Sequence, residues 1–253
     1  MSEDVLLVEQ RGPVLIVTLN RPAVRNAISA DMMGRIADAV ERAEQDDVIR
    51  VLVVAGAGGQ AFSAGMDLRS IASGDEVRPP GAFLRLLAGE VVVPVVSAVT
   101  GVAVGAGCEI AFGSDVVIAS PEASFGLPEV KRGLFAGSGV MHVAKRLPLG
   151  VALEMVLTGD RIGAERALEL GFVNAVVPPG EVLAHALSLA DRIAANAPLG
   201  VAASKELVRK VAYGSPDAGR RLEEWLPVVF TSDDAKEGAT AFVEKRTPSW
   251  KGR

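Results

Sequence analysis

The sequence predicts an α/β core followed by a helical region. Three observations predict it. Apolar runs of strand length alternate with segments of helical period through most of the chain. Strand signals then stop near residue 180 and helical spacing takes over. Hydrophobic residues make up 49% and charged residues 23% of the 253, which suits a sizeable core and excludes a disordered chain.

Each element has its own signal. Val5 to Glu9 and Val14 to Leu19 are β-rich runs around Arg11-Gly12, the pattern of a hairpin. Ser29 is placed to cap a helix, because Met33, Ile36, Val40 and Ala43 follow at helical spacing and Asp46-Asp47 ends the run. Val48 to Ala55 is apolar at nearly every position and reads as a buried strand. A glycine-rich loop is expected from there to about Gly65. Residues 74–82 are polar and proline-rich and read as a mobile surface loop. Val92 to Val99 and Asp115 to Ala119 read as further buried strands. Val182, Ala186, Leu189 and Ile193 mark a helix, and helical patterns fill 199–212, 217–229 and 233–245. The expected division is a core over 1–195 and a helical region over 196–253.

Charge and composition narrow the function classes. The formal net charge is −5, against the basic face that a nucleic-acid partner demands. A single cysteine, Cys108, excludes an internal disulfide, and two histidines with one cysteine exclude a Cys/His zinc site. No metal is expected. Met1 to Asp4 has no basic leader character, so a reduced, cytoplasmic protein is expected. Residues 91–113 imitate a membrane span, with Glu109 their one charge. Pro94, Gly101, Gly105, Gly107 and Gly113 instead suggest a buried strand, a glycine turn and a buried helix, with no membrane partner.

Two local motifs compete for the chemistry. Gly56-Ala57-Gly58-Gly59-Gln60-Ala61 follows a strand and has Asp75 beyond it, as a dinucleotide-binding turn would. That reading needs a helix after the glycines and a strand before the acid, and neither pattern is present. Ala61-Phe62-Ser63-Ala64-Gly65 approximates a nucleophile elbow. Its partners would be His142 or His185, each set in a helical pattern with nothing to single it out. Cys108, among glycines and apolar residues, reads as a buried thiol. A third signal is a pair of glutamates. Glu109 stands in the most apolar stretch of the chain, where an unpartnered carboxylate is expensive. Glu129 follows Pro128 on a turn leaving Phe125-Gly126-Leu127. A helix-start carboxylate and a solvated turn acid are their plain alternatives.

Set in order, the motifs resemble the enoyl-CoA hydratase/isomerase (crotonase) superfamily over nearly the whole length. The match runs from Leu19-Asn20-Arg21-Pro22 and Arg25-Asn26-Ala27 through Ala61 to Leu68. It continues with Pro94, Gly101, Gly105 to Glu109, Ser114-Asp115, and Ala123 to Glu129. Gly133, Gly137, Gly139, Leu157-Thr158-Gly159, Ala164 to Gly171, Val173-Asn174 and Lys236-Glu237-Gly238 to Lys245-Arg246 complete it.

The resemblance implies a crotonase-like (ClpP/crotonase) spiral of ββα units with a C-terminal helical trimerisation region. It implies a homo-oligomer, a trimer or a dimer of trimers. The substrate class it implies is an acyl-CoA thioester, with coenzyme A as part of the substrate and no separate cofactor. An enolate oxygen would be held by the backbone N–H groups of Met66 and Ala106, since fixed donors need no reorganisation as charge develops. Glu109 and Glu129 match the two acids of hydratases, Glu109 orienting water as the ionised partner and Glu129 exchanging the proton. By the same resemblance Arg25, Ala27, Ala64, Gly65, Asp67, Leu68, Gly105, Pro128, Gly133, Phe242 and Lys245 line the substrate and CoA path. Residues 74–88, with Phe83, Leu84 and Leu87, would be a loop shaping the acyl pocket. Ala106 replaces a common glycine and Ala136 a common proline, as in paralogues with specialised substrates. The implied activity is enoyl-CoA hydration. A carnitinyl-CoA-type dehydratase, a Δ3-Δ2 enoyl-CoA isomerase and a non-catalytic acyl-CoA binder are its alternatives.

Overall fold

The computed structural model describes residues 4–69 and 78–253. The N-terminal hairpin forms as β1 (Leu6–Arg11) and β2 (Val14–Leu19), antiparallel with Leu6 opposite Leu19. Helix α1 (Ala30–Gln45) starts where Met32 N donates to Ser29 Oγ at 3.3 Å and stops at Asp46. Strand β3 (Val51–Gly56) then pairs in parallel with β2. The segment taken for loop up to Gly65 contains a short strand, β4 (Ala61–Ser63).

The 91–113 segment resolves into β5 (Val95–Val99), β6 (Val102–Val104) and α3 (Ala106–Gly113), preceded by α2 (Gly81–Ala88). Gly101 makes the β5–β6 turn at φ +73°, where an added Cβ would stand 2.2 Å from Gln60 O. After β7 (Val116–Ala119) and β8 (Ser124–Gly126) come α4 (Gly139–Arg146), α5 (Leu149–Thr158), β9 (Arg161–Gly163), α6 (Ala164–Glu169) and β10 (Ala175–Val176). The remainder is helical: α7 (Val182–Ala194), α8 (Pro198–Ala212), α9 (Ala218–Phe230) and α10 (Asp233–Glu244).

The chain spirals between two sheets. One has the order β1-β2-β3-β5-β7-β10 and the other β4-β6-β8-β9. Consecutive strands β3 and β4, β5 and β6, and β7 and β8 step from the large sheet to the small one. The period-2 alternation of the large sheet makes two cores. Leu15, Val17, Leu52, Val54 and Val95 face the main core with α1, α2 and α3. Val14, Ile16, Val51, Val53 and Val96 face α7, whose Ala186, Ala190 and Ala194 let it approach the sheet closely.

One expectation is corrected. Residues 81–88 are not loop but helix α2, and Ala82, Phe83, Leu86 and Leu87 are buried in the main core while Leu84 is exposed. The apolar i, i+3, i+4 spacing of Phe83, Leu86 and Leu87 outweighs the polar prefix, and Gly89 ends the helix at φ +70°. The loop expected over 74–82, and Asp75 with it, lies partly outside the described residues. Among the described residues no helix is long and apolar enough to cross a membrane.

Candidate active site

The site is built around the N-terminal end of α3. Gly105 precedes it at φ +55°, with its N–H donating to Gly126 O at 3.0 Å. Ala106 is the first helical residue, so its N–H has no acceptor within the helix. The second donor comes from the segment after β4. Ile28 N donates to Gly65 O at 2.8 Å and Asp67 N to Ile28 O at 2.9 Å. That parallel bridge uses the groups flanking Met66, and therefore turns the Met66 N–H to the opposite edge, which is the β6–α3 side. The two peptides are close: an added Cβ on Gly65, at φ +85°, would be 3.4 Å from Ala106 N and 2.8 Å from Val104 O. Only glycine fits between them.

Both glutamates reach this point. Glu109 lies in the first turn of α3 and is 7% exposed. Ser138 Oγ donates to its Oε1 at 3.2 Å, and the Gly139 N–H, which donates to Ala136 O at 2.6 Å, lies near enough to the carboxylate to favour its charge. Burial pushes the Glu109 carboxyl up to about 7, with the Glu129 charge adding to the rise and the two donors opposing it. Glu129 sits on a short 3-10 helix, Pro128–Arg132, closed by Gly133 at φ +72°. Burial also raises its carboxyl, opposed by its own backbone N–H and by Arg132. Its Oε2 is buried without a hydrogen-bond partner among the described residues. An added Cβ on Gly105 would be 3.0 Å from Glu129 Oε1, which places that carboxylate against the N-terminus of α3.

The remaining predicted positions divide into two groups. Arg25, Ala27, Ala64, Gly65, Asp67 and Leu68 share one strip, joined where Ala64 N donates to Arg25 O at 2.9 Å. Asp67 is ion-paired within this chain, to Arg21 at 3.0 Å and Arg69 at 3.2 Å. Gly105, Pro128 and Gly133 frame the glutamates. Phe242, 85% exposed, and Lys245, the left-handed cap of α10, have no hydrogen bond or ion pair to the glutamate pair among the described residues.

The competing motifs resolve differently. After Gly56 the chain enters β4 rather than a helix, so the glycines do not form a dinucleotide-binding turn. Ser63 is buried. Its hydroxyl donates to Asn26 O at 2.8 Å and accepts from Gly65 N at 3.2 Å, which leaves no histidine among its partners. The Cys108 thiol is fully buried and held well above its usual range by desolvation.

Three residues received no role from the sequence, although Asn26 and Gly139 fall within the motifs that carry the resemblance. Ser138 donates to Glu109 and Gly139 abuts it from a neighbouring helix start, and no local pattern announces that contact. Asn26 is fully buried, and its Nδ2 donates to Ala57 O at 2.9 Å and Ala61 O at 2.8 Å. It sits at a left-handed φ of 55°, beside Arg25 at 54°, a region asparagine tolerates.

The model of the enoyl-CoA hydratase/isomerase family matches residues 9–253. The chain belongs to the enoyl-CoA hydratase/isomerase family. It is 40% identical to an enoyl-CoA hydratase from Mycobacterium tuberculosis, over 98% of this chain and 96% of that protein. It is 42% identical to a carnitinyl-CoA dehydratase from Salmonella arizonae, over the full length of both. A crystal structure of an enoyl-CoA hydratase from Mycobacterium tuberculosis H37Rv superimposes with a TM-score of 0.91 at 42% identity, covering 99% of this chain and 100% of that one. The fold is therefore crotonase-like, and the family supports a hydro-lyase.

Proposed function

We propose that this family member is an enoyl-CoA hydratase, adding water across the C2=C3 bond of a trans-2-enoyl thioester. The observation that carries the reading is the meeting of Glu109 and Glu129, both with raised carboxyls, at the donor-bearing N-terminus of α3. Attack at C3 moves charge onto the thioester oxygen. Met66 N–H and Ala106 N–H receive it there, and the positive end of α3 adds to them. One carboxylate takes the proton of the attacking water, and the other, protonated, gives its proton to C2. The pair thus ends with the proton count it began with, and product forms with no net change at the enzyme.

Burial raises both carboxyls, so the substrate-free pair titrates together above the usual carboxylate range. Glu129 Oε2, buried without a protein partner, suits the oxygen that exchanges a proton with a bound molecule. The CoA moiety is assigned to the Arg25–Leu68 strip. The proposed core, 1–195, holds the chemistry, and the proposed helical region, 196–253, holds the oligomer contacts. Leu222, Leu226, Phe230 and Phe242 are exposed there, and α9 has no buried residue. Phe242 and Lys245 would then serve a neighbouring subunit.

The test is loss of the conjugated-enoyl absorbance of crotonyl-CoA and of a longer trans-2-enoyl-CoA. Wild type is expected to consume both. Glu109→Gln and Glu129→Gln are each expected to lose about 10²- to 10⁴-fold in rate. Thioester binding without absorbance loss overturns simple hydration. The similarity to carnitinyl-CoA dehydratases would then put a specialised dehydratase first.

A further inference from the structure

Helix α4 is fastened to α3 at both ends. At its start, Ser138 Oγ donates to Glu109 at 3.2 Å and the Gly139 backbone abuts the same carboxylate. At its last residue, Arg146 Nη1 donates to Ser114 O at 2.7 Å and to Phe112 O at 3.3 Å, where α3 ends. Arg146 also reaches Phe172 O at 3.5 Å and lies 5.4 Å over the Phe172 ring, which packs on Phe112 at 4.5 Å. The two helices therefore run in the same direction. Each is eight residues long, a rod of about 12 Å. A guanidinium on helix-terminal carbonyls makes strong, charge-assisted bonds in a fixed geometry. No other side chain of α4 makes a hydrogen bond to α3 among the described residues.

We propose that Arg146 is a positioning residue for Glu109: by pinning the C-terminal end of α4 to the C-terminal end of α3, it keeps Ser138 and Gly139 in register with the carboxylate. The inference rests on the hydratase reading for its catalytic meaning, while the clasp itself does not. Arg146 is not among the charges that act directly on Glu109. At the front Glu109 faces Glu129 and Cys108. At the rear Arg146 faces Arg209, Asp115 and Tyr213. Along the sides, His142 and Lys145 of α4 act on each other, and Arg85 of α2 is held by Glu44 at 2.6 Å. Because Ser138 and Gly139 favour the ionised carboxylate, releasing them raises the pH at which Glu109 gives up its proton.

The test is an infrared titration of the protonated-carboxyl band, assigned to Glu109 by its loss in Glu109→Gln. Burial pushes the wild-type carboxyl up to about 7, so its band is expected to titrate near neutral pH. Arg146→Met is expected to move the midpoint up by about half to one pH unit, the equivalent of a loosened hydrogen bond. Ser138→Ala moves it the same way, and the double variant moves little further than either. The kcat profile shifts with the band while KM holds. Arg209→Met is the charge control, since Arg209 is a cation beside Arg146 whose Nη2 donates to Gly113 O at 2.7 Å from α8 and which makes no hydrogen bond to α4 among the described residues. An equal shift in Arg209→Met assigns the effect to charge and overturns the proposal. So does an unchanged midpoint in folded Arg146→Met, or additive shifts in the double variant. Should Arg146→Met not fold, Arg146→Lys, which keeps a cation but not the fork, must still show part of the shift. A wild type that titrates as expected yet hydrates nothing overturns the hydratase reading alone.

Discussion

Gly139 abuts Glu109 so closely that an added Cβ would stand 2.6 Å from Oε1, 3.1 Å from Cγ and 3.2 Å from Cδ. Ser138, the residue before Gly139, donates to the same oxygen at 3.2 Å. Alanine is the better helix former by about 1 kcal/mol, so Gly139→Ala should keep the fold. The displaced atoms belong to the proposed catalytic carboxylate. The expected result is a normal unfolding midpoint with kcat down tenfold or more, a misplacement effect of the kind small displacements produce. Full activity in Gly139→Ala would show that the position of Glu109 is not critical.

Burial of Glu109 carries a stability prediction with a definite sign. The carboxyl titrates near 4.5 when exposed and about 7 in the folded chain. Between those values the folded chain holds a proton that the unfolded chain has released. Stability therefore falls as pH rises from about 4.5 to about 7, then levels. The span corresponds to about 3 kcal/mol. Glu109→Gln removes the penalty. Its advantage in urea unfolding should be small at pH 5 and approach that figure at pH 8. An advantage equal at both pH values would sink the assignment.

Ser63 belongs to the frame of the site. Its hydroxyl links Asn26 O to Gly65 N, and an added Cβ on Gly107 would stand 2.6 Å from Ser63 Cβ. Ser63→Ala leaves one buried carbonyl and one buried N–H unpaired, a loss of about 1–3 kcal/mol. Enoyl hydration should persist in the variant, and a serine-directed fluorophosphonate should leave wild type unlabelled. Stoichiometric labelling of Ser63 would restore the hydrolase reading.

The long strands and helices were legible because burial on one face or both writes a period into them. The hairpin, α1, β3, β5 and the last four helices all carry that period. The small sheet was not legible. Strands β4, β6, β8 and β9 span three residues each, too short for any alternation to register. Helix α2 was hidden behind a polar, proline-rich prefix, although Phe83, Leu86 and Leu87 had the spacing. At the site, the two glutamates stood out because charge is rare in apolar sequence. Ser138 and Asn26 did not, because a polar residue beside glycines looks the same whether it caps a loop or holds a carboxylate.

Asn26 gives the sharpest test of how the backbone donors are aimed. Its Nδ2 binds Ala57 O and Ala61 O, and its Oδ1 accepts from Arg21 N at 2.9 Å. Those bonds fix the segment from Arg21 to Ile28 against the entry to β4. The same segment supplies Ile28, whose bridge turns the Met66 N–H toward Ala106. Asn26→Ala loses three hydrogen bonds and puts alanine at a left-handed φ, so a loss of about 2–4 kcal/mol is expected. Asn26→Asp is the more informative change. A carboxylate has no donor for Ala57 O and Ala61 O, so its ionised form is repelled and its folded pKa rises. The protonated form restores one donor. The destabilisation should therefore be smallest below the usual carboxylate range and grow as pH rises through the raised folded value. Urea unfolding of Asn26→Asp at pH 4 and pH 7 measures it, with hydration kcat falling in step at pH 7. A pH-independent deficit would mean that the two carbonyls do not depend on Asn26, and that the aim of Met66 is set elsewhere.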